Sequence, residues 1–267
     1  MIAILVLAVI QGVAEFLPIS SSAHLVIFRD LFGVGKNLIT NDISLIFDIS
    51  LHLGTTLAVL IYFYKDFRNM FESVIKLRIK DNRLLQLIIV ATIPTAIVGF
   101  LLDDIIEEQL RDKYFIIAIV LIVMGIVIYL IDKLKCEKKC INQLTIMDSL
   151  IIGCMQIFAL FPGVSRSGAT IAASRFLNIN REDAAKFSFY LSLPVVLGAT
   201  ILQIVKIDTS IIINNITIFI VGILVSFLTG IVSIKCLLKY LKKNNFKIFM
   251  WYRIVFGLLI LLYIFMK

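Results

Sequence analysis

Six long apolar stretches limit what this chain of 267 residues can fold into. They lie at about 43–64, 84–102, 114–132, 183–205, 211–234 and 248–266. A helix needs roughly 20 apolar residues to cross the hydrocarbon core of a bilayer, and each stretch is close to that length. The sequence therefore predicts an all-α integral membrane protein with six transmembrane helices.

The composition excludes an ordinary soluble domain. Hydrophobic residues make up 60% of the chain, charged residues 16%, and the mean hydropathy is +1.02. In soluble domains apolar residues are about half and charged residues about a quarter. The net charge of +8 comes largely from Lys and Arg between the apolar stretches. That pattern suits an anionic membrane surface, so we expect the lipid bilayer, and no nucleic acid, as a partner.

Loop charges predict the orientation of the chain. Lys and Arg cluster at 65–83, 133–139 and 235–247, and positively charged loops stay in the cytoplasm. The loop at 103–113 carries Asp103, Asp104, Glu107 and Glu108 and, with the short link at 206–210, is predicted to face outward. Each apolar stretch then connects opposite sides of the membrane.

Two motifs indicate that the chain is duplicated. IQGVAEFLPISSSAH at 10–24 and MQIFALFPGVSRSGA at 155–169 align when Gln11 is placed on Gln156. The other matched pairs are Ala14 with Ala159, Phe16 with Phe161, Ser20 with Ser165, and Ser22 with Ser167. Transporter-like membrane folds with duplicated halves place their site where broken helices of the two halves meet.

Both motifs are interrupted by residues that break helices. Pro18 precedes three serines, and residues 162–168 read PGVSRSG. Non-helical backbone at membrane depth needs surrounding protein or a water-filled cavity. We therefore predict two re-entrant helical hairpins whose tips meet inside the membrane. The whole chain, 1–267, is one polytopic domain with inverted pseudo-repeat halves at 1–132 and 146–267, joined by a cytoplasmic loop at 133–145.

Glu15 is the acidic residue of the first motif. Gln11 lies one helical turn before it, so both side chains can converge on one ligand. Acids inside a membrane are costly and usually functional. Glu15 is a candidate general base or metal ligand. A structural acid bonded to a neighbouring helix end is the alternative.

Ser20, Ser21 and Ser22 stand where the second half of the first hairpin begins. Serines there can cap the helix, and exposed N–H groups can bind phosphate while one hydroxyl acts on phosphorus. His24 follows one turn later. It completes a nucleophile–base set or takes the phosphoryl group itself. A buried neutral histidine bonded to a carbonyl is the structural alternative.

Arg166 lies in a Gly-flanked turn of the second motif. Such turns form backbone nests for anions, and a guanidinium binds phosphate through two parallel hydrogen bonds. The residues predicted to bind substrate with it are Gln11, Ser20, Ser22, Gly163, Ser165, Ser167 and Gly168. An internal ion pair with Glu15 is the alternative and can coexist in the empty site.

Four other polar residues in or near the membrane carry less weight. Asp48 and His52 lie one turn apart and can support the site, and a supporting or structural role is favoured over catalysis for both. Arg175 and Arg181 flank the end of the second hairpin and are interpreted as anchors at the membrane interface.

The segments QGVAEFLPISSSAHL and PGVSRSGATI resemble the two signature motifs of the undecaprenyl-diphosphate phosphatases, the bacitracin-resistance family of bacterial membrane enzymes. The likeness covers nearly the whole chain, including FSFYLSLPVVLGA at 187–199. It implies that the catalytic positions are Glu15, Ser21, His24 and Arg166. Gln11 is the amide variant of the first position in the family's Glu/Gln-x-x-x-Glu motif.

The resemblance implies hydrolysis of undecaprenyl diphosphate, a polyprenyl diphosphate lipid, to undecaprenyl phosphate and inorganic phosphate. That reaction recycles the lipid carrier of cell-wall peptidoglycan synthesis and confers bacitracin resistance. It also implies a multi-pass protein of the bacterial cytoplasmic (inner) membrane with an inverted-repeat fold and a cleft facing outward. A divalent cation, Mg²⁺ or Ca²⁺, is expected, with Glu15 as its candidate ligand. A homodimer is a further expectation.

Several mechanisms and functions stay open at this point. Ser21 can attack the terminal phosphorus with His24 and Glu15 as base and orienting partner. His24 as nucleophile, or water activated by Glu15 and a cation, are the variants. A lipid-phosphate translocator and a non-catalytic lipid-binding protein are the rival functions. A hydroxyl, an imidazole and a carboxylate in one site favour the enzyme.

Overall fold

A computed structural model describes residues 1–36, 38–39, 41–110, 113–204 and 213–266, with side chains except at 41–42, 103–110 and 202–204. Within these ranges the chain is helical and forms no strand. The first half contains α1 (Ile2–Ala14), α2 (Ser21–Val26), α3 (Asn41–Tyr62), α4 (Tyr64–Ile75), α5 (Arg83–Leu110) and α6 (Tyr114–Leu134). The second half contains α7 (Ile146–Gln156), α8 (Arg166–Phe176), α9 (Arg181–Ile204), α10 (Ile216–Leu241) and α11 (Lys247–Met266).

Six of the described helices are long and apolar enough to cross a membrane. Their spanning parts are Ile43–Tyr62, Arg83–Leu102, Tyr114–Leu134, Arg181–Ile201, Ile216–Leu241 and Lys247–Met266. These match the six predicted spans, so that prediction is confirmed. Large apolar side chains such as Phe100 and Leu262 are exposed on the outer surface, where lipid takes the place of water. The predicted outward link at 206–210 lies outside the described residues.

The two motif regions form the predicted re-entrant hairpins. α1 has 13 residues, which reach only about 20 Å along a helix axis, so α1 cannot cross a bilayer. A turn at 15–19 containing Pro18 separates it from α2. In the second hairpin a short 3₁₀ segment, Ile157–Leu160, and a bend containing Pro162 separate α7 from α8.

Each hairpin packs against the opposite half of the chain. α1 lies on α10, and α7 lies on α5. Glycine permits both close approaches. A side chain at Gly12 would overlap Thr229 of α10, and one at Gly153 would overlap the backbone of Ala91 in α5. α3 packs on α9, and α6 packs on α11, so equivalent helices face one another as in an inverted duplication. The boundaries drawn at 132 and 146 stay a prediction.

The hairpin tips meet, as the sequence predicted. Oγ of Ser167 donates a hydrogen bond to the carbonyl of Leu17 over 3.0 Å. Arg253 of α11, which is fully buried, donates to the carbonyls of Pro18 at 3.0 Å and Gly163 at 2.6 Å. One arginine therefore links the tip of each hairpin to the other.

The interpretation of Arg175 as an anchor at the membrane interface is wrong, whereas that of Arg181 stays a prediction. Arg175 is completely buried, and its Nε donates to Asp132 of α6 over 2.7 Å. Arg181 donates to the same carboxylate over 2.8 Å. Both guanidinium groups tie the second hairpin and α9 to α6, because a buried carboxylate needs paired charge.

Candidate active site

Glu15 follows the last residue of α1 and accepts hydrogen bonds from both arms of the first hairpin. Nε2 of Gln11 donates to its Oε2 over 3.0 Å, which confirms the predicted shared face. Oγ of Ser21, at the start of α2, donates to the same oxygen over 2.7 Å. The glutamate is buried. A carboxylate at this distance from a hydroxyl can act as its general base.

Arg166 binds the other oxygen of the same carboxylate from the second hairpin. Its Nη2 donates to Oε1 of Glu15 over 2.7 Å. Its Nη1 donates to the carbonyl of Ser188 in α9 over 3.1 Å. The internal ion pair considered from the sequence is therefore present. A guanidinium has five N–H donors, so donors remain for an anion.

His52 of α3 also reaches this cluster, as the sequence allowed for a residue that supports the site. Its Nδ1 lies 3.1 Å from Nε2 of Gln11 and 3.6 Å from Oε2 of Glu15. Asp48, one turn earlier, instead accepts a hydrogen bond from Arg29 over 2.6 Å. The sequence signal was the pair of polar residues one turn apart in an apolar helix. Only the packed structure separates their roles.

A cavity of about 230 Å³ lies where the two hairpin tips meet α3, α5 and α9. Its polar side chains are Glu15, Ser21, Ser22, His52, Thr95, Gln156, Ser165, Arg166 and Thr200. Its apolar wall consists of Ile49, Ala159, Leu160, Val195, Val196 and Ala199. The cavity thus offers a polar floor and an apolar side, which suits a ligand with a charged head and a hydrocarbon tail.

Ser20 and Ser165 occupy equivalent strained positions at the two tips. Their φ angles are 73° and 76°, a region that non-glycine residues enter at a cost of about 1–3 kcal/mol. Oγ of Ser165 caps α8 by accepting from the N–H of Gly168, whereas Ser20 makes no such bond. Oγ of Ser20 lies 3.4 Å from Oγ of Ser22, and Oγ of Ser165 lies 3.1 Å from Oγ of Ser167. Both tips are therefore held in one uncommon shape.

His24 lies away from the cavity. Its Nδ1 is 2.7 Å from the carbonyl of Ser20, and its Nε2 is 2.7 Å from the hydroxyl of Tyr252 in α11. The ring stacks on Phe256 with centroids 4.4 Å apart and is buried. Both ring nitrogens are engaged, so the expected grouping of His24 with Ser21 and Glu15 does not form. The contacts match the buried histidine that the sequence left as an alternative.

Three more of the predicted substrate-binding residues support the tips from behind the cavity. Gly163 has a φ of +97°, and its carbonyl faces Arg253. The N–H of Gly168 is bound by Ser165, and the hydroxyl of Ser167 reaches Leu17. Ser22, Ser165 and Arg166 do line the cavity.

Gln11 and Gln156, the aligned glutamines, each carry a buried amide oxygen that has no hydrogen-bond partner among the described residues. Nε2 of Gln156 donates to Oγ1 of Thr95 over 3.0 Å, which fixes the amide at the cavity wall. An unpaired buried oxygen costs about 1–3 kcal/mol. A donor or a cation that enters the cavity would relieve that cost at Gln156.

A divalent cation in this cavity would need several oxygen ligands. Mg²⁺ and Ca²⁺ take oxygen ligands, and Mg²⁺ is commonly held by one or two carboxylates together with substrate phosphates. No group of three His, Cys, Asp or Glu side chains converges within the described ranges. The described wall of the cavity offers one carboxylate, that of Glu15, so a cation bound there would take further ligands from a substrate phosphate.

The geometry defines a class of protein: a multi-pass membrane protein whose two re-entrant hairpins build one polar site with a hydroxyl, a carboxylate and an arginine. Sequence comparison gives the particular family. The chain belongs to the bacitracin resistance protein BacA family, whose profile matches residues 4–259.

Curated relatives extend over the same length. An undecaprenyl-diphosphatase of Caldicellulosiruptor bescii is 42% identical over 96% of this chain and 94% of its own. One of Pelotomaculum thermopropionicum is 43% identical over the same shares. One of Elusimicrobium minutum is 42% identical over 98% of this chain and 97% of its own. The suspected resemblance to this family is confirmed.

Proposed function

We propose that this protein hydrolyses undecaprenyl diphosphate to undecaprenyl phosphate and inorganic phosphate, which returns the lipid carrier to cell-wall synthesis and underlies bacitracin resistance. One observation carries the mechanism. The hydroxyl of Ser21 donates to Glu15 over 2.7 Å, while Arg166 binds the other oxygen of that carboxylate, at the wall of one cavity.

Ser21 is the nucleophile of the proposed reaction. Its Oγ attacks the terminal phosphorus as Glu15 accepts its proton. The bond from that phosphorus to the bridging oxygen breaks, and undecaprenyl phosphate leaves. Water then attacks the phosphoserine, with Glu15 again as base. The serine oxygen takes back a proton as inorganic phosphate leaves.

Arg166 binds the diphosphate and offsets the charge that moves to the leaving group. Its free N–H donors lie beside the first turn of α8, where N–H groups favour phosphate oxygens. A bound Mg²⁺ or Ca²⁺ would neutralise further phosphate charge, held by Glu15 and the substrate. His24 supports the peptide at Ser20 in this proposal and does not take the phosphoryl group.

An apolar groove beside the cavity suits the polyprenyl tail. It has a volume of about 430 Å³ and lies between α4, α5 and α9. Thr92 and Leu197 line the groove, while Thr95 and Val196 of the same helices line the cavity. The diphosphate can therefore stay in the polar site while the tail follows α5 and α9.

The protein is a multi-pass membrane protein, and we place it in the bacterial cytoplasmic membrane with its cavity facing outward. Loop charges put the beginning of α3 and the end of α9 on the outer side. Thr200, near the outer end of α9, lines the cavity, and His52 lines it from the middle of α3. A homodimer stays a prediction of the sequence.

The test is phosphate release from undecaprenyl diphosphate by the purified protein in detergent. We expect activity in the wild type and at least a hundredfold loss in Ser21→Ala. Phosphoprotein trapped by rapid acid quench should carry acid-stable phosphoserine at position 21. Alkali-stable phosphohistidine at position 24, trapped in a parallel alkaline quench, would favour the other nucleophile. A wild type that binds the lipid but releases no phosphate with Mg²⁺ or Ca²⁺ would favour the lipid-phosphate translocator.

A further inference from the structure

We propose that a groove between α1, α10 and α11 binds one acyl chain of an anionic phospholipid from the cytoplasmic leaflet, whose phosphate is held by lysines at the end of the groove. The groove shares no lining residue with the cavity at the hairpin tips or with the groove assigned to the polyprenyl tail. The inference therefore does not depend on the proposed hydrolysis.

The groove opens because α10 and α11, which follow one another in the chain, pack on different neighbours. α10 packs on α1 and α3, whereas α11 packs on α6. The space left between them has a volume of about 540 Å³. Its walls are Val13 and Leu17 of the first hairpin, one face of α10, and Ile248 and Phe249 of α11.

The wall of the groove suits a hydrocarbon chain. Val232 is 60% exposed on a helix that spans the membrane, so this face of α10 meets lipid. The two hydroxyl groups in the wall are already engaged. Oγ1 of Thr229 donates to the carbonyl of Val225 over 2.7 Å, and Oγ of Ser233 donates to the carbonyl of Val13 over 3.1 Å. A ligand in the groove therefore meets apolar surface.

The length of the groove matches one leaflet of a bilayer. The groove follows α10 from Leu228 to Tyr240, which is about 18 Å along a helix axis. One leaflet contributes about 15 Å to the hydrocarbon core. The inner end of the groove lies at Leu17, in the tip of the first hairpin. The other end lies where α10 finishes, on the side that loop charges assign to the cytoplasm.

Lysines continue the groove at its cytoplasmic end. Lys239 lies three residues after Cys236, and Lys243 lies three residues after Tyr240, so both extend the face of α10 that lines the groove. The N–H of Lys243 donates to the carbonyl of Tyr240 over 3.2 Å, which continues the turn past the end of α10. Lys247 is the first residue of α11 and directly precedes the groove wall. All three lysines are exposed.

The charge around these lysines is of one sign. Residues 235–251 contain five lysines and no acidic residue. Within the described part of the chain, Lys242 is the member of this set that pairs with an acid, Glu182, over 3.9 Å. The three lysines beside the groove therefore keep their charge available for an anion at the membrane surface.

An anionic phospholipid joins both features in one molecule, because its phosphate stays at the interface while its acyl chain extends through one leaflet. Basic pockets between transmembrane helices on the cytoplasmic side bind such head groups. A second copy of this chain fits less well. A twofold interface pairs the same patch of both copies, which would bring two lysine clusters together.

The first experiment measures phospholipid binding to the delipidated protein in detergent by native mass spectrometry. We expect dioleoyl phosphatidylglycerol to bind at least tenfold more tightly than dioleoyl phosphatidylcholine. Combined Lys239→Gln, Lys243→Gln and Lys247→Gln should reduce this preference to less than twofold. Equal binding of the two lipids to wild type would overturn the inference.

The matched control removes three exposed positive charges from another predicted cytoplasmic loop, through Lys76→Gln, Arg78→Gln and Lys80→Gln. This variant should keep the wild-type preference for phosphatidylglycerol. An equal loss of preference in both triple variants would contradict a defined site, because it would show general attraction between the lipid and the net charge of the protein.

The second experiment uses Cys236, an exposed thiol in the groove wall, to locate the acyl chain. We expect phosphatidylglycerol to slow maleimide labelling of Cys236 at least fivefold. Cys154, an exposed thiol on α7, is the internal control and should react at an unchanged rate. Labelling of Cys236 that phosphatidylglycerol does not slow would contradict an acyl chain in the groove.

Other occupants give different results in the same assay. Protection of Cys236 that needs no lipid and rises with protein concentration would assign the groove to a second copy of the chain. Stronger protection by undecaprenyl phosphate than by phosphatidylglycerol would assign it to a polyprenyl lipid. Either result overturns the inference.

Cys236→Trp tests the groove while leaving the lysines in place. The indole should fill the groove and weaken phosphatidylglycerol binding at least tenfold, with the wild-type melting temperature in lipid-free detergent. Wild-type affinity in this variant would show that the lysines alone hold the lipid and would overturn the inference. The labelling assay on wild type decides the question if Cys236→Trp does not fold.

Discussion

Nη2 of Arg166 donates to Oε1 of Glu15 over 2.7 Å, joining residues that are 151 positions apart in the chain. Glu15 belongs to the first hairpin and Arg166 to the second, so this ion pair joins the two halves of the chain at the site. A diphosphate that binds Arg166 meets the negative charge of Glu15 at close range. The carboxylate that we propose as the base is therefore expected to weaken the initial binding of an anionic substrate.

Glu15→Gln should separate binding from chemistry. The amide removes the negative charge and the general base together. We expect kcat to fall about 10²–10⁴-fold, the usual contribution of a general base. The substrate Kd should decrease several-fold, because Arg166 is freed and repulsion is lost. Glu72→Gln on α4, whose side chain is 43% exposed, is the matched control and should leave both unchanged. Both Kd values are measured in EDTA, where no cation joins Glu15 to the lipid; a weaker Kd in Glu15→Gln would then show that the carboxylate helps to hold the diphosphate.

Metal dependence should appear only together with substrate. Glu15 is the single carboxylate in the described lining of the cavity, and Arg166 already binds it. We expect EDTA to abolish phosphate release and Mg²⁺ or Ca²⁺ to restore it. Calorimetric titration of the free protein with Mg²⁺ should show no binding tighter than the millimolar range. Tight binding without lipid would contradict a cation that depends on substrate phosphate for part of its ligands.

The sequence was enough to predict the framework of the fold. Length and hydropathy fix the six spans, because few other segments are both long and apolar. Pro18 and Pro162 fix the breaks, and the one-turn spacing fixes the contact of Gln11 with Glu15. These features depend on residues that are close in the chain.

Which of the two histidines reaches the cavity could not be predicted in the same way. His24 turns toward Tyr252, which is 228 positions away, and His52 meets Gln11 from another helix. The positive φ of Ser20 also redirects α2 relative to α1. The direction of a side chain after such a break depends on distant packing. Arg253 was missed for that reason too, although a charge in an apolar helix is a signal of function or structure.

Tyr252→Phe tests the structural role of His24. Loss of the hydroxyl leaves Nε2 of a buried ring without its partner, which costs about 1–3 kcal/mol. We expect a lower melting temperature in detergent, and a kcat within tenfold of wild type because Ser21 and Glu15 are untouched. Tyr263→Phe on the same helix, where the ring is 37% exposed, should change neither quantity. A hundredfold loss of kcat with an unchanged melting temperature would place His24 in the chemistry.

We expect Arg253 to contribute more to the stability of the protein than any exposed arginine does, because it joins the two hairpin tips. Its buried guanidinium donates to four carbonyls, those of Pro18, Leu121, Gly163 and Val164. These hydrogen bonds use all of its N–H groups. Removing it leaves several buried oxygens unpaired, at about 1–3 kcal/mol each. Arg253→Met should therefore lower the melting temperature strongly and abolish activity.

Arg253→Lys distinguishes charge from geometry at this position. A lysine keeps the charge but has no planar fork, so it cannot reach both tips at once. We expect a protein that folds with reduced stability and loses at least tenfold in kcat, because Ser21 and Arg166 are no longer held at a fixed separation. Arg68→Lys, at a site 74% exposed on α4, is the control and should match wild type. Wild-type kcat in Arg253→Lys would show that the charge alone suffices and that the fork does not set the distance between the tips.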